Sequence, residues 1–249
     1  MNRLIEKFSE NESAEEMNLL CIPYAGGGAS VFFGWLKRLD PRIALYTVQL
    51  PGRENRIVDK PYSDIYDIIP DLMDEMDQLS DKPLVIFGHS MGAKIAYELE
   101  KALEAEGGGC EELIVSGSRA PFVPEPDPIC DLPDKEFLHE LHRFAGTPAE
   151  ILKNEEMMKF FMPLLRADFS MDEKYCDSNR VKLSCPITAF CGTEDNEAKE
   201  EDMLKWGEYS DDFSLRSFSG SHFFIKTETV KLFRTLNEIC SKYSLIKEK

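Results

Sequence analysis

Pro83-Leu84-Val85-Ile86-Phe87-Gly88-His89-Ser90-Met91-Gly92 reads as a buried strand, a sharp turn and the opening of a helix. The helical pattern that follows runs from Ala93 through Ala105. A strand-to-helix turn this tight presses the residues two places either side of Ser90 against neighbouring backbone, so glycine is required at both. The strain holds the serine hydroxyl at the top of a sheet, facing substrate. G-x-S-x-G is a common pattern by itself. The strand before it and the helix after it are the context its chemistry needs.

A serine hydroxyl is a poor nucleophile without a base. The chain has four histidines, at 89, 139, 142 and 222. His89 adjoins the nucleophile, and its side chain leaves the turn in another direction. His139 and His142 lie in an amphipathic stretch, Asp134 to Phe144, and read as helix-surface residues. His222 follows the strand-like run Phe213 to Phe218 and the turn Ser219-Gly220-Ser221, where a base would be presented. The base needs a carboxylate to hold its tautomer. Strand-like Ile187 to Phe190 leads into Cys191-Gly192-Thr193-Glu194-Asp195, which makes Asp195 the expected acid and Glu194 its competitor. The strand Glu112 to Ser116 runs into Gly117-Ser118-Arg119-Ala120-Pro121 and offers no acid. The order Ser, acid, His is that of α/β-hydrolases.

An oxyanion hole would take one donor from the backbone N–H of Met91. The other should come from the loop after the early strand Leu19 to Pro23, where Tyr24-Ala25-Gly26-Gly27-Gly28 follows. Ala25 is the expected donor, with Gly26 the alternative. The same glycines could cradle a phosphate, but the loop lacks both the Lys-Ser/Thr ending of a P-loop and the spacing of a dinucleotide fingerprint.

Strands near 19–23, 43–49, 84–87, 112–116, 186–190 and 213–218 alternate with helical stretches near 30–39, 63–79, 91–106, 197–206 and 223–243. That alternation implies an α/β fold, with a mostly parallel sheet covered by helices on both faces. A segment from about Pro121 to Leu183 breaks it, opening with Pro121, Pro124, Pro126 and Pro128. Asn154 reads as the N-cap of a helix bearing Met157, Met158, Phe160, Phe161, Leu164 and Leu165, more apolar surface than one face needs. The expectation is a single α/β-hydrolase domain over 1–249 with a helical lid inserted at about 121–183.

The chain has 249 residues and a net charge of −17. That acidity disfavours nucleic acid as a partner. No apolar run approaches the length of a membrane span, and Met1 to Glu16 lacks the apolar core of a secretory signal. Seven cysteines, at 21, 110, 130, 176, 185, 191 and 240, show neither paired nor metal-ligand spacing. A reduced, cytoplasmic protein without a structural metal is expected.

Ile22-Pro23-Tyr24-Ala25-Gly26-Gly27, Gln49-Leu50-Pro51-Gly52-Arg53-Glu54, Phe87 to Gly92, Ser116 to Pro121, Leu132-Pro133-Asp134, Gly146-Thr147-Pro148-Ala149-Glu150, Leu164-Leu165-Arg166-Ala167-Asp168 and Gly220 to Phe224 are spread over nearly the whole chain. Together they resemble segments of the type II thioesterases that accompany nonribosomal peptide and polyketide synthases. Ser221 stands where that family commonly has glycine, and Phe144-Ala145-Gly146 replaces a common L-G-G. The resemblance implies hydrolysis of acyl groups from the phosphopantetheine arm of acyl-loaded carrier proteins. Ser90 would attack, His222 act as base, Asp195 orient it, and the N–H groups of Ala25 and Met91 bind the oxyanion. No cofactor is implied beyond the phosphopantetheine that the substrate carries, and a monomer is expected. Arg53, Arg56, Lys60, Arg119, Arg143 and Lys159 are candidates for a basic docking patch. A medium-chain fatty acyl thioesterase and a carboxylesterase on small oxygen esters stand as alternatives.

Overall fold

The computed structural model describes residues 3–8, 12–141 and 155–244. Seven strands form one sheet among these residues: β1 (Ile5–Phe8), β2 (Met17–Ile22), β3 (Ile43–Val48), β4 (Leu84–His89), β5 (Glu112–Ser116), β6 (Ile187–Gly192) and β7 (Phe213–Phe218). Their order is β1-β3-β2-β4-β5-β6-β7. Only β1 and β3 pair antiparallel; the other neighbours are parallel. The chain winds outward from β2 to β3, then returns to the far side of β2 as β4. The winding direction reverses between β2 and β4, and a crevice at the carboxyl ends of strands flanking such a reversal is where α/β sheets hold ligands.

The strands read as continuous apolar runs because both their faces are covered. Leu20, Ile22, Ile86 and Val115 face one core, which they share with Ile65, Ile68 and Leu72 of α1 (Ile65–Met73) and with Ile95 and Leu99 of α2 (Met91–Ala105). Leu19, Cys21, Val85 and Phe87 face the other, packing with Phe32 and Trp35 and with Leu232 and Leu236. Helix α2 is buried from Met91 to Glu100, including Lys94, Glu98 and Glu100.

Between β5 and β6 lie α3 (Asp134–Leu141) and α4 (Glu155–Glu173). Ile129, Phe137, Leu141, Met158, Leu165 and Phe169 form a separate apolar cluster there. His142, Arg143, the Phe144 to Glu150 motifs and Asn154 lie outside the described residues.

Several elements differ from the sequence reading. The four-residue β1 was missed, because so short a stretch shows no clear alternation; its partner β3 supplies the pairing. The stretch 30–39 forms a 3-10 turn at Ala29–Trp35. The helix read over 63–79 ends at Met73 and resumes as a 3-10 turn at Met76–Leu79. In place of one helix over 197–206 stand a single α-turn, α5 (Glu200–Met203), and a 3-10 turn at Leu204–Glu208. The last helical stretch divides into α6 (Phe224–Thr227) and α7 (Thr229–Ser241), parted at Glu228 with ψ 48°.

At the amino ends of the strands, Glu100 of α2 is fully buried and accepts the Cys110 N–H at 3.0 Å. Cys110 Sγ and Cys185 Sγ lie 3.8 Å apart beside it. Burial pushes the Glu100 carboxyl up to about 7, and the nearby Glu104 adds to the rise. A carboxyl raised on folding holds its proton better in the native state. Its contribution is therefore intact below the unfolded value of about 4.5 and is lost as pH climbs through about 7. The loss is on the order of 3 kcal/mol. Glu100→Gln stays neutral throughout. The difference in unfolding free energy between Glu100→Gln and wild type should shift in favour of the variant from pH 5 to pH 8. Urea titrations at the two pH values check this, and parallel pH profiles would refute it.

Candidate active site

The turn after β4 has the geometry that its sequence demands. Ser90 sits at φ 55°, ψ −124°, a strained conformation for a residue with a side chain. A Cβ on Gly88 would lie 2.2 Å from the Gly92 carbonyl oxygen, and one on Gly92 would lie 2.3 Å from that of Ile22. No L side chain fits at either place. The Ser90 N–H donates to the Ser116 carbonyl at 2.8 Å, which ties the turn to the end of β5.

Loops from three strands converge on this serine. His222 Nε2 is 3.1 Å from Ser90 Oγ, and His222 Nδ1 is 3.0 Å from Asp195 Oδ2. The other Asp195 oxygen accepts the N–H groups of Glu197 at 2.8 Å and Ala198 at 3.2 Å. The loops bearing Asp195 and His222 are also fastened to each other. Thr193 N–H donates to the Phe218 carbonyl at 2.8 Å, and Glu194 N–H to that of Gly220 at 2.9 Å. Glu194 itself is exposed, so of the two candidate acids it is Asp195 that the fold brings to His222.

His89 is fully buried, with Nδ1 2.9 Å from Ser116 Oγ. Burial holds its imidazole well below the ordinary range, with the charges of His222 and Lys226 adding to the effect. It is a neutral support whose ring centre lies 5.2 Å from that of His222. His139 is exposed on α3, as a surface histidine should be.

The loop after β2 is held by a clasp that the sequence did not disclose. Arg53 Nη1 and Nη2 donate to the two Asp168 oxygens, each at 2.7 Å, and both side chains are almost wholly buried. Arg53 Nη1 also donates to the Gly27 carbonyl at 2.9 Å. Asp168 Oδ2 accepts the Gly26 N–H at 2.6 Å. The alternative oxyanion donor, Gly26, is thus engaged with the insert helix, whereas Ala25 N–H makes no hydrogen bond among the described residues. Met91 opens α2, so its N–H has no acceptor within the helix. Arg53 and Asp168 both stood in conspicuous motifs, but 115 residues apart nothing linked them.

The docking patch read from the sequence needs correction. Arg53 is consumed by Asp168. Arg119 is mostly buried, bonded to the Glu197 carbonyl and paired with Glu125. Arg56 is held by Asp59 at 2.8 Å. Lys60 and Lys159 remain exposed, and Arg143 lies outside the described residues.

A strained serine at a strand–helix turn, a histidine within reach of its oxygen and a buried carboxylate behind that histidine define a serine hydrolase of the α/β-hydrolase fold. Residues 17–240 match the family model described as "Thioesterase domain", and the chain belongs to that family. It is 39% identical to the gramicidin S biosynthesis protein GrsT of Aneurinibacillus migulanus over 216 residues, covering 86% of this chain and 84% of that one. Among solved structures it is similar to RedJ, a thioesterase from the prodiginine pathway of Streptomyces coelicolor, with TM-score 0.85, 32% identity and 92% of both chains covered. YbtT, a type II thioesterase from the yersiniabactin biosynthetic pathway, gives TM-score 0.85 and 29% identity, covering 94% of this chain and 96% of that one. Among the described residues no helix is long and apolar enough to cross a membrane.

Proposed function

We propose that this enzyme hydrolyses acyl thioesters carried on the phosphopantetheine arm of carrier proteins, clearing mis-primed or stalled groups from a peptide or polyketide synthase. The observation that carries the reading is the hydrogen-bonded series Ser90–His222–Asp195. In this reading His222 Nε2 takes the proton as Ser90 Oγ attacks the thioester carbonyl, and Asp195 stabilises the imidazolium. The N–H groups of Ala25 and Met91 receive the oxyanion. The thiol leaves, with its ordinary pKa near 8.5, and so needs less help from a proton than an amine would. Water, activated by His222, then releases the acid. Side chains and backbone supply every group in this scheme, so it needs no cofactor.

We take residues 1–249 as one α/β-hydrolase domain, with a lid at about 121–183 that packs on its own cluster through Phe137, Leu165 and Phe169. A cytoplasmic, monomeric enzyme fits this role. The similarity to proteins of the gramicidin S, prodiginine and yersiniabactin pathways supports the choice of a carrier-bound substrate.

The test is hydrolysis of an acetyl-loaded carrier protein against acetyl-CoA. The carrier substrate should show at least a tenfold higher kcat/KM. Equal values for the two would remove the carrier from recognition, and faster turnover of the corresponding oxygen ester would favour the esterase alternative.

A further inference from the structure

We propose that the ion pair between the buried Lys94 and the part-buried Asp172 sets acyl-chain length, closing the cleft beside Ser90 to long apolar chains. The proposal rests on the hydrolase reading above and names the residues that decide which acyl groups the site accepts.

Lys94 stands one helical turn beyond the nucleophile on α2, and Asp172 comes from the last turn of α4. The Lys94 ammonium lies 2.9 Å from Asp172 Oδ1 and donates to the Asp172 carbonyl oxygen at 2.7 Å. The lysine side chain is only 5% exposed. Both residues line the same small cleft as Ser90 and His222, together with Arg119 and Glu125. The free space there is about 20 Å³, room for one water-sized group. An acetyl methyl needs little more. A longer alkyl chain would have to lie against the ion pair, strip its remaining water and push the partners apart. A lysine as buried as Lys94, left without its partner, is strongly unfavourable. Arg119 and Glu125 pair with each other on the same wall, so among the described residues the lining of this cleft carries no apolar side chain.

The experiment compares kcat/KM for acetyl-, butyryl- and octanoyl-pantetheine in wild type, Lys94→Arg and the double variant Lys94→Met/Asp172→Leu. Replacing both charges with apolar side chains of similar volume is compatible with folding. Labelling of Ser90 by a small fluorophosphonate confirms an assembled site in each protein. The octanoyl-to-acetyl ratio should rise tenfold or more in the double variant and stay within threefold of wild type in Lys94→Arg. A rise below tenfold in a double variant that labels would overturn the proposal. So would an equal fall for all three substrates, which would place the pair against the pantetheine arm instead. If the double variant does not label, Lys94→Met/Asp172→Asn is judged by the same thresholds. A wild-type protein that neither labels nor hydrolyses any of the three would overturn the hydrolase reading itself, and the ion-pair role with it.

Discussion

Ser90→Ala should lower kcat for thioester hydrolysis by about six orders of magnitude while leaving the fold in place. The hydroxyl is the proposed nucleophile, and among the described residues its one hydrogen bond is the part-buried 3.1 Å contact with His222. Removing it opens no large cavity, because Ser90 is partly exposed at the cleft. What survives is catalysis by the oxyanion donors and by binding alone, about 10³- to 10⁴-fold over water. His222→Ala should cost nearly as much, and combining the two should add little, since the groups act as a unit. Single-turnover hydrolysis of acetyl-pantetheine, read beside the circular dichroism spectrum, checks the pair. A loss of under a hundredfold for a folded Ser90→Ala protein would refute the nucleophile assignment.

Arg53→Met should reduce stability by about 3–5 kcal/mol and slow the enzyme as well. The guanidinium neutralises Asp168, which is wholly buried, through two 2.7 Å hydrogen bonds. Without it a carboxylate is left uncompensated in the core, a loss comparable to a large part of a typical domain's 5–15 kcal/mol. The effect on rate follows from position. Asp168 holds the Gly26 N–H, and Arg53 holds the Gly27 carbonyl, so the clasp shapes the backbone that carries Ala25. Restoring neutrality with Arg53→Met/Asp168→Leu should recover most of the stability, because apolar pairs commonly replace buried ion pairs without loss. It should not recover kcat, since Gly26 would lose its acceptor. Urea unfolding and acetyl-pantetheine turnover separate the two effects. A single variant within about 1 kcal/mol of wild type would show that the pair is not a structural clasp.

The sheet was legible because its strands are short apolar runs bounded by turns, and period and length suffice to read those. Six of the seven strands were read that way. β1 was not, since its four residues owe their conformation to pairing with β3. Helical stretches were placed correctly, but several proved to be 3-10 turns or broken helices. Their limits depend on what each turn packs against, as the 29–35 segment shows by burying Phe32 and Trp35 while leaving Phe33 exposed.

Local covalent geometry was enough to single out Ser90 as the candidate nucleophile. Two glycines, a strand and a helix around one serine specify a conformation that no distant contact has to supply. Position at strand ends picked out Asp195 and His222 for the same reason, because a parallel sheet collects its carboxyl-end loops on one edge. The tertiary structure alone decided the rest. It chose Asp195 over Glu194 by tying the loops after β6 and β7 together, and it withdrew Gly26 by giving its N–H to Asp168. It also turned Arg53 from a surface charge into a buried clasp and set Lys94 against Asp172 beside Ser90. Each of these is a pairing between residues tens to more than a hundred positions apart. The energy of such a pairing depends on distance and on exclusion of water. Neither is a property of the amino acids in order, and both arise only when the chain closes around them.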